Sequence, residues 1–316
     1  EATAMRRRLT GVGAGALGLF YGALLQRSGQ EVCFLLRRDL AAIKQNGLQV
    51  HSVNGDFHLP QVAGFGSPTE IGPVDLVIVG LKTFSNQHLI ELVRPLLGEQ
   101  TAILTLQNGL GNEELLAAEF GAKKVLGGVA FLCSNRGEPG QVHHLGEGKI
   151  RLGEFSGGLS ERSRMLEDMF QAAGVPCEAV ADLRRIRWEK LVWNIPFNGL
   201  CALLKKNTDQ ILALPEGEDL VREITREVVA GGNAQELQQP IDEAAFIEQM
   251  IYLTKQMEGY KPSMMIDRLE GRPLELEAIY GIPLQQATAA GIKMPKTEML
   301  YQLLKFGELE TAKATR

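Results

Sequence analysis

The chain has 316 residues, 45% hydrophobic and 22% charged, with Gly 35 and Pro 13. That composition excludes disorder, collagen-like sequence and coiled coil, and at roughly 150 residues per domain the length suggests about two domains. A formal charge of −5 supplies no basic field to draw the chain onto nucleic acid or an anionic membrane, so neither is expected as a partner.

Residues 1–4 precede Met5 and read as additional to the native start. Arg6-Arg7-Arg8 followed by an apolar run to Leu25 has the outline of a leader peptide. The run is rich in glycine, lacks a small-x-small cleavage site and leads straight into another strand-like segment, so a folded first unit is the better reading. Apolar runs predict strands over 7–12, 31–36, 74–81, 102–106 and 124–131. Helical periodicity covers 17–28, 40–46 and 112–120, and a Gly-rich excursion without assigned structure occupies 47–66. Residues 142–152, with Gly146 and Gly148 in the middle, read as a hairpin, and 176–180 as a last strand. The remainder reads as helices over 160–173, 182–204, 217–237, 243–256, 263–269, 276–290 and 296–306, cut by prolines that suit loops or first turns. The expected fold is α/β: an N-terminal doubly wound parallel sheet over 5–180, then an all-helical domain over 181–316.

Gly13-Ala14-Gly15-Ala16-Leu17-Gly18 is a G-x-G-x-x-G run between the first strand and the first helix. Gly13 would make the tight turn, Gly15 would admit a pyrophosphate to the backbone, and Gly18 would let helix and strand pack closely. The helix start would offer free N–H groups to the anion, which makes the first domain Rossmann-type. Where an NAD enzyme carries an acidic residue after the second strand, this chain has Arg37-Arg38. Guanidinium there favours a 2′-phosphate, hence NADP(H), a preference that Asp39 would blunt by pairing with either arginine. Lys82 and Asn108 follow the third and fourth parallel strands, at the edge where such sheets bind ligands; each is also an ordinary turn residue.

In the second half, Lys190, Asn194 and Asn198 stand at i, i+4 and i+8, sharing one helix face over roughly 12 Å. Either they line a polar pocket or they form an exposed face with Trp188 and Trp193 behind it. Pro196 implies a kink that leaves a backbone carbonyl for a ligand. Ser263 reads equally as helix cap or ligand group, and Glu275 and Glu277 by themselves as surface charge. The four cysteines, Cys33, Cys133, Cys177 and Cys201, form no C-x-x-C pair and read as reduced thiols of a cytoplasmic protein. The histidines have no ligand spacing, so no metal is expected.

Taken in order, Gly13-x-Gly15-x-x-Gly18, the arginine after the second strand, Leu81-Lys82, Gln107-Asn108-Gly109-Leu110-Gly111, Lys190-x-x-x-Asn194-x-x-x-Asn198, Ser263-Met264 and Glu275-x-Glu277 to Gly281 resemble the ketopantoate reductase family. The resemblance runs from about Arg8 to Phe306. It implies NADPH-dependent reduction of 2-dehydropantoate to (R)-pantoate, the step that feeds pantothenate and coenzyme A synthesis. Lys190 is then the general acid, oriented with the help of Glu275. Asn194 and Asn198 hold substrate oxygens and Ser263 the carboxylate, while Lys82, Asn108 and Ser134 or Cys133 contact the cofactor. A further asparagine of some members falls at Thr208, beside Asn207, with its role open. A lysine buried near other cations has its pKa lowered towards the working pH, which suits a proton donor.

The rival readings are a reductase of another 2-oxo acid or an imine, and a non-catalytic NADP(H)-binding sensor. A sensor would need none of Lys190, Asn194, Asn198, Ser263 and Glu275. Oligomeric state is open on the sequence; an apolar face of the helical domain against a twin subunit would make a homodimer, the assembly towards which the reading leans.

Overall fold

The computed structural model describes residues 8–12 and 15–314. The chain divides into two compact units: one runs to Gln107 and resumes over Asn112–Leu183, and the other joins Asn108–Gly111 to the chain from Arg184 onward.

The first unit is built on a ten-stranded sheet: β1 (Arg8–Val12), β2 (Glu31–Leu35), β3 (Leu48–Ser52), β4 (Phe57–Leu59), β5 (Ala63–Phe65), β6 (Val74–Val79), β7 (Leu97–Thr105), β8 (Val125–Arg136), β9 (Gln141–Glu154) and β10 (Cys177–Ala179). Their order is β4-β3-β9-β8-β7-β6-β1-β2-β5, with β10 beside β9. From β5 to β8 every neighbouring pair is parallel, whereas β9 runs antiparallel to β8. Among the described residues six α-helices accompany it: α1 (Ala16–Arg27), α2 (Leu40–Asn46), α3 (Pro68–Ile71), α4 (Asn86–Val93), α5 (Asn112–Phe120) and α6 (Glu161–Ala172).

Both faces of the parallel strands are covered, so β6 reads as an almost unbroken apolar run. Leu76 and Ile78 join a core with Leu19 and Leu25 of α1 and Phe170 of α6. Val77 and Val79 join a second core with Leu89 and Val93 of α4 and Leu116 of α5. The chain enters β1 between β2 and β6, so its crossovers leave to opposite sides, and the crevice of a doubly wound sheet opens at the carboxyl end of this strand.

Three expectations are corrected. The excursion at 47–66 is not irregular: β3, β4 and β5 lie in it and extend the sheet at both edges. Leu48 and Val50 of β3 are buried, an alternation too short to stand out along the sequence. The hairpin is longer than 142–152, with its turn at 137–140 between β8 and β9. The glycines at 146 and 148 flank Glu147, at φ 57°, where the register against β8 shifts as at a bulge. A helix over Asn86–Val93 was not anticipated, since its inward residues amount to Leu89 and Val93.

The described residues of the second unit form helices and connecting loops, with no strand. After α7 (Leu183–Trp193) comes a π-helical turn at Asn194–Asn198, then α8 (Gly199–Leu204), α9 (Thr208–Ala213), α10 (Pro215–Asn233), α11 (Glu243–Lys255) and α12 (Ser263–Leu269). A second π-turn, Glu277–Gly281, opens α13 (Ile282–Ala289), and α14 (Pro295–Ala314) follows. The helices expected over 182–204 and 276–290 are thus interrupted, as the prolines at 196 and 283 require, because each lacks the N–H for an α-helical bond. Trp188, Phe197 and Tyr280 are fully buried in one core with Leu110 of the short loop. Among the described residues no helix is long and apolar enough to cross a membrane.

Candidate active site

In the first unit Gly15, Arg37 and Lys82 follow the carboxyl ends of the parallel strands β1, β2 and β6. Gly13 and Ala14 lie outside the described residues. Gly15 is the N-cap of α1, in extended conformation, and it gives the helix no side-chain cap. Ala16, Leu17 and Gly18 form the first turn, which holds no acidic residue, so the helix start is left with N–H donors and a positive dipole end. Lys82 is exposed, three residues past β6.

The arginines after β2 are sorted by Asp39. Asp39 is fully buried and accepts from Arg136 at 2.7 Å, Arg38 at 3.2 Å and the Gly140 N–H at 2.9 Å. Burial pushes its pKa up, but these three donors outweigh burial and hold it below the usual carboxylate value. Asp39 therefore braces the β8–β9 turn. Arg37 is left exposed, its side chain making no ion pair or hydrogen bond among the described residues.

Gln107 ties the strand ends together. Its side chain, buried with the residue, donates to Leu81 O at 2.9 Å and Asn86 Oδ1 at 2.8 Å, and accepts from Thr105 Oγ1 at 2.9 Å. Ser134, expected just after a strand, lies within β8 opposite His144, and is half-buried.

In the second unit the polar residues at the i, i+4, i+8 spacing form two pairs, Lys190 with Asn108 and Asn194 with Asn198. Lys190 Nζ donates to Asn108 Oδ1 at 2.6 Å. The lysine is half-buried as a residue, but its ammonium is enclosed by protein, and burial lowers its pKa to about 7. The Arg187 guanidinium pushes the same way, while the Glu275 carboxylate opposes both. Arg187 and Glu275 are themselves 5% and 7% exposed, so Glu275 is not the surface charge its sequence context suggests. Glu277 is exposed and accepts from Tyr301 Oη.

Asn194 and Asn198 are buried on the π-turn, so the exposed-face alternative falls. Asn198 Nδ2 donates to Asn194 Oδ1 at 3.0 Å, and Asn198 Oδ1 accepts the Met264 N–H at 3.1 Å. Asn194 Nδ2 makes no hydrogen bond among the described residues, and Asn198 keeps one N–H, which leaves donors for a ligand's oxygens. Ser263, beside Met264, is exposed as the first residue of α12, and the N-cap position falls to Pro262. Asn207 caps α9 by accepting the Gln210 N–H at 3.0 Å, and Thr208 is fully buried.

Two contributors were not anticipated. Arg187 stands three residues before Lys190, and a buried charge at that spacing was the available signal. Tyr280 donates through its hydroxyl to Ile195 O at 2.5 Å. That bond falls on the carbonyl just before Pro196, not on the one that the proline deprives of its helical donor, which belongs to Val192 four residues back, and only the tertiary packing reveals it.

A doubly wound sheet with an uncapped glycine helix start, and a helical unit with an enclosed lysine, define the class: a dinucleotide-type oxidoreductase with a separate helical unit. Comparison with known proteins narrows it. The family model "Ketopantoate reductase PanE/ApbA" matches residues 10–157, and its C-terminal companion matches 182–308. A 2-dehydropantoate 2-reductase of Nostoc sp. is 42% identical over 305 residues, 95% of either chain. The crystal structure of 2-dehydropantoate 2-reductase from Geobacter metallireducens GS-15 is 60% identical, with a TM-score of 0.93 over 94% of this chain and 99% of that one. D-mandelate dehydrogenase, solved with NADH and anilino(oxo)acetate, shares the fold at 22% identity, with a TM-score of 0.88 over 96% of this chain and 99% of that one. The chain belongs to the ketopantoate reductase family of oxidoreductases.

Proposed function

We propose that the protein reduces the 2-oxo group of 2-dehydropantoate to give (R)-pantoate, with NADPH as reductant, in the cytoplasmic synthesis of pantothenate and coenzyme A. The observation that carries this reading is Lys190: an enclosed ammonium with a pKa near 7, held by Asn108 and placed one turn from buried Asn194. NADPH, when bound, supplies the hydride to the ketone carbon. Lys190 then gives its proton to the alkoxide oxygen, and a pKa near the working pH makes it an effective donor. Glu275 offsets part of the cost of a charged lysine in this setting and so keeps the donor form populated. Asn194 and Asn198 direct amide hydrogens at substrate oxygens, and the Ser263 hydroxyl serves the carboxylate.

The residues of the first unit fit NADPH. The uncapped start of α1 suits a pyrophosphate, with Gly13, Ala14, Gly15, Ala16, Leu17 and Gly18 as the phosphate turn. The one carboxylate next to the β2 end, Asp39, is consumed by Arg38, Arg136 and Gly140, so it cannot serve a ribose 2′-hydroxyl as in NAD enzymes. Arg37 remains for a 2′-phosphate. Lys82, Asn108 and Ser134 complete the cofactor contacts.

The test is the loss of NADPH absorbance with purified protein and 2-dehydropantoate, beside a panel of simple 2-oxo acids. High efficiency on 2-dehydropantoate alone is the expected result. Turnover confined to another panel member would keep the chemistry and overturn the substrate, and tight NADPH binding without turnover would favour the sensor reading.

A further inference from the structure

The two π-turns of the helical unit act on each other. The first, Asn194–Asn198, contains Pro196, and Pro283 lies just past the second, Glu277–Gly281. Proline cannot serve the carbonyl one α-turn back, and a bond to the fifth residue is how a helix absorbs the misfit. At the first turn this changes the polar face. An α-helix turns once in 3.6 residues, so residues four apart drift round the axis, whereas the wider π-turn brings them more nearly into line. Asn194 and Asn198 accordingly meet side chain to side chain at 3.0 Å.

Tyr280 holds this turn from the side. Its ring is fully buried, and its hydroxyl donates to Ile195 O at 2.5 Å, in the middle of the turn. Burial raises the phenol well above its ordinary pKa, so the donor stays protonated at any working pH. Gly199 makes the approach feasible, because a Cβ there would stand 2.2 Å from Tyr280 Oη and 2.7 Å from Leu300 Cδ2. The Glu277–Gly281 turn that carries Tyr280 also reaches the loop that carries Asn108, through the Leu110 N–H bond to Ala278 O at 2.9 Å. The two arms use different atoms: the Tyr280 hydroxyl serves the asparagine pair, and the Ala278 carbonyl serves the partner of Lys190.

We propose that Tyr280 is a positioning residue for the substrate: its hydroxyl, admitted by Gly199, fixes the Asn194–Asn198 turn so that both amides meet the 2-oxo acid at one set spacing. This rests on the reading of Asn194 and Asn198 as substrate ligands. Because the hydroxyl does not touch the arm of the proton donor, its loss acts on substrate binding rather than on proton transfer.

The test is steady-state kinetics of the full-length Y280F, N198A, G199A and G199A/Y280F proteins with the 2-oxo acid that the wild type reduces. Removing the hydroxyl takes from the buried turn the hydrogen bond that holds it from the side, so Y280F is expected to raise KM for the 2-oxo acid about tenfold. KM for NADPH and the pH profile of kcat are expected to stay in place. G199A is expected to raise the same KM, and Y280F to add less in its presence than alone, since the two act through one contact. A merely structural tyrosine would lower the melting temperature and kcat while leaving KM unchanged, and that result overturns the proposal. If N198A raises KM and Y280F does not, the clamp is wrong although the asparagines bind substrate. If N198A also keeps the wild-type KM, the substrate reading itself fails and the clamp fails with it.

Discussion

Lys190 carries the sharpest predictions at the scale of single residues. Its pKa of about 7 lies below the ordinary 10.5 because the ammonium is enclosed and Arg187 is near. A proton donor must be charged, so kcat/KM for reduction is expected to fall as pH rises through about 7, and the reverse oxidation to gain over the same range. Lys190→Ala is expected to lower kcat by about 10²- to 10⁴-fold, read from NADPH consumption at saturating substrate. The same group affects stability with a definite sign. Between about 7 and 10.5 the unfolded chain binds a proton that the folded chain does not, so stability contributed by this site rises with pH across that window. Denaturant unfolding should show that rise in the wild type, and Lys190→Met should flatten it. Arg37 is the other decisive residue: Arg37→Ala is expected to shift the ratio of KM values for NADPH and NADH by at least about tenfold towards NADH. An unchanged ratio would return Arg37 to a solvated turn.

Among the elements, the loop at 108–111 shows how backbone geometry serves chemistry. Gly109 has φ +78°, and a Cβ on it would lie 2.3 Å from Ala278 O. Only glycine meets both conditions, and the loop then delivers Asn108 Oδ1 to Lys190. Gly109→Ala is expected to displace that partner and lower kcat by about 10²-fold, with the far-ultraviolet dichroism of the wild type retained. The G-x-G-x-x-G segment and the lysine-asparagine helix were both legible in the sequence, because spacing alone fixes which residues share a turn or a face. The π-turns were not. Pro196 announced a break, but that the neighbouring Ile195 carbonyl would be gripped from the side depended on Tyr280, more than eighty residues away in sequence. The extra strands β3, β4 and β5 escaped for a related reason: short strands are chosen by the sheet edge they complete, not by their own periodicity.

At the scale of the whole molecule, chain order and compact units do not coincide. Leu110 is 7% exposed and belongs to the core of the helical unit, although the loop is flanked on both sides by chain of the sheet unit. A fragment cut at Arg184 would lose Leu110 and the Ala278 bond together. Expressed alone, residues 184–316 are expected to melt below the full chain and to gain stability when residues 108–111 are restored through a linker, as thermal unfolding would report. NADPH at a hundred times its Kd is expected to stabilise the intact protein by about 2.7 kcal/mol, and NADH at the same concentration by less.

The sequence by itself determined the α/β-then-helical order, the glycine run before α1, the arginine after β2 and the i, i+4, i+8 spacing of Lys190, Asn194 and Asn198. All of these are local: they depend on spacing, on the absence of a Cβ, or on charge at the end of a strand. The tertiary structure alone decided which arginine Asp39 would occupy, that Glu275 would be buried beside a lysine with a lowered pKa, and that Tyr280 would grip the Pro196 turn. Those outcomes depend on burial and on contacts between distant segments, where removal from water sets the strength of each charge and bond, and no window along the chain contains them.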